Sequence, residues 1–153
     1  MSSLAISYKK LHPDAALPTL GEPGAVGLDV AAFSISTEGR YVNLIIPPRT
    51  SKLIRTGIVV IAPAGYFIMV CSRSGLAAAQ PPLFVANAPG IVDPNYIGEM
   101  KIILYNGGHE SAYIKHGQRI AQLVLAPLSR FPLAEVAELP ETSRGDKGFG
   151  STG

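Results

Sequence analysis

The sequence predicts an all-β fold, and three observations carry that expectation. Sixteen glycines and thirteen prolines punctuate 153 residues, a density of breakers that leaves little room for long helices. The intervals between them are short and rich in β-branched and aromatic residues, which suit a pleated strand. Only one interval, Ser74–Gln80, has the composition of a helix.

Taken in order, Leu4–Lys9 reads as the first strand and Val30–Ile35 as the next. Tyr41–Ile46 follows and is closed by Pro47 and Pro48. Ser51–Ala62 continues, with Gly57 at a bulge. Ala64 and Gly65 turn the chain into Tyr66–Cys71, an unbroken apolar run that suggests burial on both faces. Ser74–Gln80 sets alanines behind Ser74 as N-cap and ahead of Pro81 and Pro82, so one short helix is expected. Glu99–Tyr105, Ala112–Lys115 and Arg119–Leu128 come at the close spacing of sandwiches and barrels. From Phe131 the chain loosens, with Glu135, Glu138 and Glu141 among small residues, and it ends in a glycine-rich arm.

Composition narrows the function classes. With 47% hydrophobic and 16% charged residues the chain is globular, and its length suits one domain burying roughly 68–70% of its unfolded surface. A net charge of +2 is too small to argue for nucleic acid or an anionic membrane as partner. Cys71 is alone, which excludes an internal disulfide framework and a cysteine-based zinc site. His12, His109 and His116 lack metal-ligand spacing. No basic, apolar leader opens the chain, and no apolar run approaches the ~18 residues of a membrane span. A cytoplasmic protein is expected, or one of the host-cell cytosol if the source is viral.

Five stretches have the residue types for chemistry. In Asn87 through Glu99, Ala88-Pro89-Gly90-Ile91 has the type II turn pattern and Asp93-Pro94-Asn95-Tyr96 suits a type I turn. Asp93 is then a carboxylate fixed by both turns, with an aromatic ring three residues on. Ser72-Arg73-Ser74-Gly75 puts a guanidinium fork at a helix start, suited to phosphate oxygens. Gly27-Leu28-Asp29 places a carboxylate at a strand start. In Gly117 through Leu123, alternation sets Gln122 on the face of Ile120 and Val124, where a core position would require a hydrogen-bond partner. The tail formally matches a dinucleotide glycine pattern at Gly148, Gly150 and Gly153, but that fingerprint must open a helix and here the chain ends. What remains is a flexible arm whose Arg144 and glycine amides suit phosphates and whose Phe149 suits a flat ring. Neither a Ser-His-Asp set nor a deaminase zinc signature is visible. Together these residues point to a nucleotide and a water-activating Asp.

In this order and spacing, the five stretches resemble the five motifs of the homotrimeric dUTPase family, across nearly the whole chain. They are Gly27-Leu-Asp-Val30, Ser72-Arg-Ser-Gly-Leu-Ala77, Asn87 through Glu99, Gly117-Gln-Arg-Ile-Ala-Gln-Leu123 and Arg144 through Gly153. The resemblance implies a jelly-roll-like β-barrel domain at residues 1–140 and an arm at 141–153 that crosses onto a neighbouring subunit of a homotrimer. It implies hydrolysis of dUTP to dUMP and pyrophosphate, with Asp93 as general base. Asn87, Gly90, Ile91 and Val92 would read uracil, Tyr96 would pack on the deoxyribose, and Lys101 would contact the substrate near the base. Arg73, Ser74, Gly75 and Gln122 would bind phosphates. Arg144 and Gly150 would clamp the outer phosphates while Phe149 stacks over uracil. Mg²⁺ would ride on the phosphates and water, with Asp29 reaching it only through water. Ser72, Val26 and Asn95 depart from the usual pattern, and none of them is assigned a chemical role. The related dCTP deaminases use a Glu as base and lack the Phe-Gly-Ser arm, so Asp93 and Phe149 argue against that reading.

Overall fold

A computed structural model describes residues 5–148 of the chain. Its regular elements are strands apart from one helical turn, as the breaker density requires. In chain order they are β1 (Ser7–Lys10), β2 (Thr19–Leu20), β3 (Leu28–Ala31), β4 (Leu44–Ile46), β5 (Ser51–Arg55), β6 (Ile58–Ile61) and β7 (Tyr66–Cys71). The turn α1 (Ser74–Ala77) follows, then β8 (Leu83–Val85), β9 (Gly90–Val92), β10 (Lys101–Asn106), β11 (Ala112–Ile114) and β12 (Arg119–Pro127).

The all-β fold with one short helix is as expected, and among the described residues its ladders group into four antiparallel sheets. The largest has the order β2-β3-β12-β7-β9, and a second has β5-β10-β8. Two further pairs are β1 with β6 and β4 with β11. All four sheets turn one face to a common core. Val30 and Ile68 come from the first sheet, Ile54 and Leu104 from the second, Ile58 from the third, and Ile46 and Ile114 from the fourth, all fully buried. Each such side chain contributes roughly 1.5–3 kcal/mol of transfer free energy relative to exposure.

The departures from sequence expectation have local causes. The run Ser51–Ala62 is not one strand with a bulge, because Gly57 adopts φ +71° and ends it. β5 pairs with β10, whereas β6 pairs with β1 in another sheet. A Cβ at Gly57 would also lie 2.8 Å from the Ala15 methyl and 3.0 Å from Phe33 Cγ. β7 is buried on one face only: Ile68 and Val70 are inside, and Phe67, Met69 and Cys71 are half-buried on the other. α1 is a single turn capped by the extended residue Arg73, with no side-chain cap from Ser74. Finally, β12 carries a register shift between Arg119 and Ala121. Ile120 and Ala121 are therefore both buried, and the alternation that follows sends Leu123 inward. Gln122 consequently leaves the face of Ile120, where simple alternation had placed it.

Candidate active site

The stretch from Asn87 to Glu99 begins on an edge of the largest sheet. β9 pairs with β7 through Val70↔Gly90, Met69↔Ile91 and Ile68↔Val92. This corrects the type II turn expected at Ala88–Ile91: Gly90 is a buried strand residue without positive φ, and the Ala88–Pro89 bond is cis. Glycine is favoured there by close approach instead, since a Cβ would lie 3.1 Å from Asn87 Nδ2 and 3.4 Å from Val70 Cβ. The second turn is as the sequence suggests, with the Tyr96 amide donating to the Asp93 carbonyl at 3.1 Å.

Strand alternation turns Gly90 and Val92 inward and Ile91 outward. Asp93 follows on the exposed side, and among the described residues it enters no ion pair. Asn87, Ile91, Val92, Asp93, Tyr96 and Lys101 converge on one cleft of about 400 Å³, with Leu53, Met100 and Ile103 completing its wall, a volume typical of small-ligand sites. These last three escaped the sequence reading. Leu53 and Ile103 are register partners on the outer side of β5 and β10, and only knowledge of that pairing would have placed them beside Asn87. Gly90 and Asn87 also line a smaller hollow that adjoins Ile91 and Lys101.

A second, more polar cleft gathers Asp29, Arg73, Ser74, Gly75, Arg119 and Gln122 with the loop residues Gly21, Glu22, Ala25 and Gly27. It shares no lining residue with the first. Its architecture follows from the sheet order, because β12 lies between β3 and β7 and sets Gln122 opposite both Asp29 and Cys71. The Gln122 amide donates to the Ser72 carbonyl at 3.2 Å. Asp29, nearly buried, receives a two-pronged contact from Arg73 (Nε to Oδ1 2.8 Å, Nη2 to Oδ2 3.2 Å) and a third from Arg119 Nη1 at 3.1 Å. Arg73 Nη1 also donates to the Arg119 carbonyl at 3.2 Å. Two guanidiniums against one carboxylate leave this trio with a net positive charge. The leading amides of α1 at Ser74 and Gly75 are those that a helix start leaves without intrahelical acceptors.

The described part of the C-terminal arm stands apart from both clefts. Arg144 lines neither, and its Nε donates to the Lys147 carbonyl at 2.9 Å across an exposed turn. Phe149 and Gly150 lie outside the described residues. No group of three His, Cys, Asp or Glu side chains among the described residues is arranged to hold a metal. No described helix is long and apolar enough to cross a membrane.

An all-β scaffold with an exposed carboxylate in one cleft and two guanidiniums in a second has the groups that a nucleotide hydrolase needs, a base and an anion site. Comparison with known proteins narrows the class. The dUTPase family model matches residues 13–153. The deoxyuridine 5'-triphosphate nucleotidohydrolase of Wolinella succinogenes is 42% identical over 153 residues, spanning 100% of this chain and 97% of that protein. That of Syntrophotalea carbinolica is 40% identical, spanning 100% and 99%. Among solved structures, a mutant of the Staphylococcus bacteriophage 80alpha dUTPase with dUpNHpp matches at a TM-score of 0.83 and 25% identity, over 97% of this chain and 98% of that one. The chain belongs to the dUTPase family.

Proposed function

We propose that the protein hydrolyses dUTP to dUMP and pyrophosphate, so limiting uracil in DNA and supplying dUMP for dTMP synthesis. The observation that carries this reading is the convergence of Asn87, Ile91, Val92, Asp93, Tyr96 and Lys101 on one cleft, in a chain of this family. Asn87 and the β9 backbone offer amide and carbonyl groups to the uracil edge, and Lys101 stands at the same wall. Tyr96 forms the wall against which deoxyribose packs and a ribose 2′-hydroxyl is excluded. Asp93 takes a proton from water as that oxygen bonds to the α-phosphorus; the bond from that phosphorus to the bridging oxygen breaks and pyrophosphate leaves. A base positioned in this way is worth typically ~10²–10⁴-fold.

Arg73, Ser74, Gly75 and Gln122 bind the phosphates. Their cleft shares no lining residue with that of Asp93 within one chain, which accords with a homotrimer in which the complete site takes one cleft from each of two copies. The arm of residues 141–153 closes a neighbour's site, Arg144 and Gly150 meeting the outer phosphates and Phe149 the base. When bound with the triphosphate, Mg²⁺ would supply charge neutralisation there. This chain fits an ion held by phosphate and water: it offers no ligand cluster among the described residues, and both Asp29 oxygens already accept from guanidiniums. Asp29 would reach such an ion only through water.

Pyrophosphate release with dUTP, UTP, dCTP and dTTP in turn tests the reading. Rapid release is expected with dUTP alone, and comparable rates with UTP would overturn the assigned specificity.

A further inference from the structure

We propose that Glu99 is a positioning residue for Tyr96, and through it a determinant of the choice between deoxyribose and ribose; this rests on the reading of Tyr96 as the sugar wall. Tyr96 is half-exposed, and a ring in a surface loop has no intrinsic reason to hold one orientation. Two contacts hold it. Its hydroxyl donates to the Glu99 carbonyl at 3.0 Å, and its ring lies over the bare backbone of Gly98. A Cβ at Gly98 would fall 2.5 Å from the Tyr96 oxygen and 2.7 Å from Cζ. The wall is therefore as fixed as the peptide that carries the Glu99 carbonyl.

That peptide is gripped from the corner between β5 and β6. The Glu99 side chain is only 11% exposed, and its carboxylate accepts from Arg55 Nε at 3.0 and 3.1 Å and from the Gly57 amide at 2.9 Å. On the next residue, the Met100 carbonyl accepts the Thr56 hydroxyl at 2.5 Å and the Met100 amide donates to the Ile58 carbonyl at 2.9 Å. Residues 55–58 thus hold two consecutive residues of the loop. Pairing a carboxylate withdrawn from water with one half-exposed arginine gives little net stability, so the ion pair alone does not account for a nearly buried glutamate here. What the carboxylate supplies is orientation: it fixes the rotation of the Glu99 peptide, hence where the Tyr96 ring stands. The Met100 bonds do not involve the carboxylate, so the loop is expected to stay attached when it is removed.

The test measures kcat and KM for dUTP and for UTP in Glu99→Ala, Glu99→Gln, Tyr96→Phe and the Glu99→Ala/Tyr96→Phe double variant, with the melting temperature of each. Glu99→Ala is expected to lower the dUTP-over-UTP ratio of kcat/KM by about tenfold, as misplacement of a positioning contact does. Glu99→Gln, which keeps an acceptor for the Gly57 amide, should lie between it and the unsubstituted protein. Tyr96→Phe cuts the same tether at its other end, so the double variant should fall no further than the worse single one. A lowered melting temperature with an unchanged ratio in Glu99→Ala, or in Glu99→Gln if the alanine variant does not fold, would show a purely structural role and overturn the assignment. A full sum of the two single effects in the double variant would overturn it as well. Equal turnover of dUTP and UTP by the unsubstituted protein would instead remove the reading of Tyr96 on which the assignment rests.

Discussion

Asp93 owes its position to backbone rather than to side-chain partners. It follows directly on β9, heads a turn closed by the Tyr96 amide, and faces solvent without an ion pair among the described residues. A carboxylate so placed is available to water, unlike Asp29, whose oxygens are taken up by Arg73 and Arg119. Asp93→Asn keeps the shape and removes the proposed base. It should lower kcat for dUTP by ~10²–10⁴-fold with little change in the dissociation constant measured by calorimetry; full activity would refute the base assignment. At this scale the sequence was informative about residue types and blind to their pairing. The five stretches could be picked out because Asp, Arg, Tyr and glycine occurred together near turns. That Asp29 anchors Arg73, 44 positions away, depends on β12 lying between β3 and β7, which no local pattern states. Phe149 and Gly150, outside the described residues, stay with the sequence argument alone.

Elements were legible where a run was long and its boundary was a breaker. Tyr66–Cys71 was found with its full span, whereas β2, β8 and β9, of two or three residues each, are too short to show a period. β9 was hidden further by Pro89 and Gly90, whose order imitates a type II turn although Gly90 serves close packing against Asn87 and Val70. Gly57 is the instructive case, because a glycine inside an apolar run signals either a bulge or a break. Its φ of +71° and the closeness of Ala15 and Phe33 make it a break. Gly57→Ala meets both obstacles. A left-handed residue with a Cβ costs roughly 1–2 kcal/mol, and the contact with Ala15 and Phe33 adds to this. For a domain of this size the melting temperature at fixed protein concentration should fall by at least ~2–4 °C. An unchanged melting temperature would mean that the corner relaxes freely, which would also weaken the grip assigned to it on Glu99 and Met100.

At the scale of the whole molecule, the proposed reaction requires the two clefts to act as one site. Within a chain, the cleft of Asp93 and the cleft of Arg73 share no residue, and a base that acts on the α-phosphorus must lie near the groups that hold the phosphates. A cyclic assembly of the kind proposed would resolve this by supplying each site with one cleft from one copy and the other from its neighbour. Subunit mixing tests the arrangement directly. Asp93→Asn and Arg73→Ala chains, each expected to be nearly inactive alone, are denatured together in equal amounts and refolded. Sites that take Asp93 from the arginine-deficient chain and Arg73 from the asparagine-bearing chain are intact. Random assembly makes these on the order of a quarter of all sites, so activity should return to about that share of the unsubstituted protein treated alike. Were Asp93 and Arg73 to serve the same site from one chain, each site would carry one lesion or the other and mixing would restore nothing. Recovery of activity, read against separately refolded variants as controls, therefore decides between a site shared across chains and one completed within each.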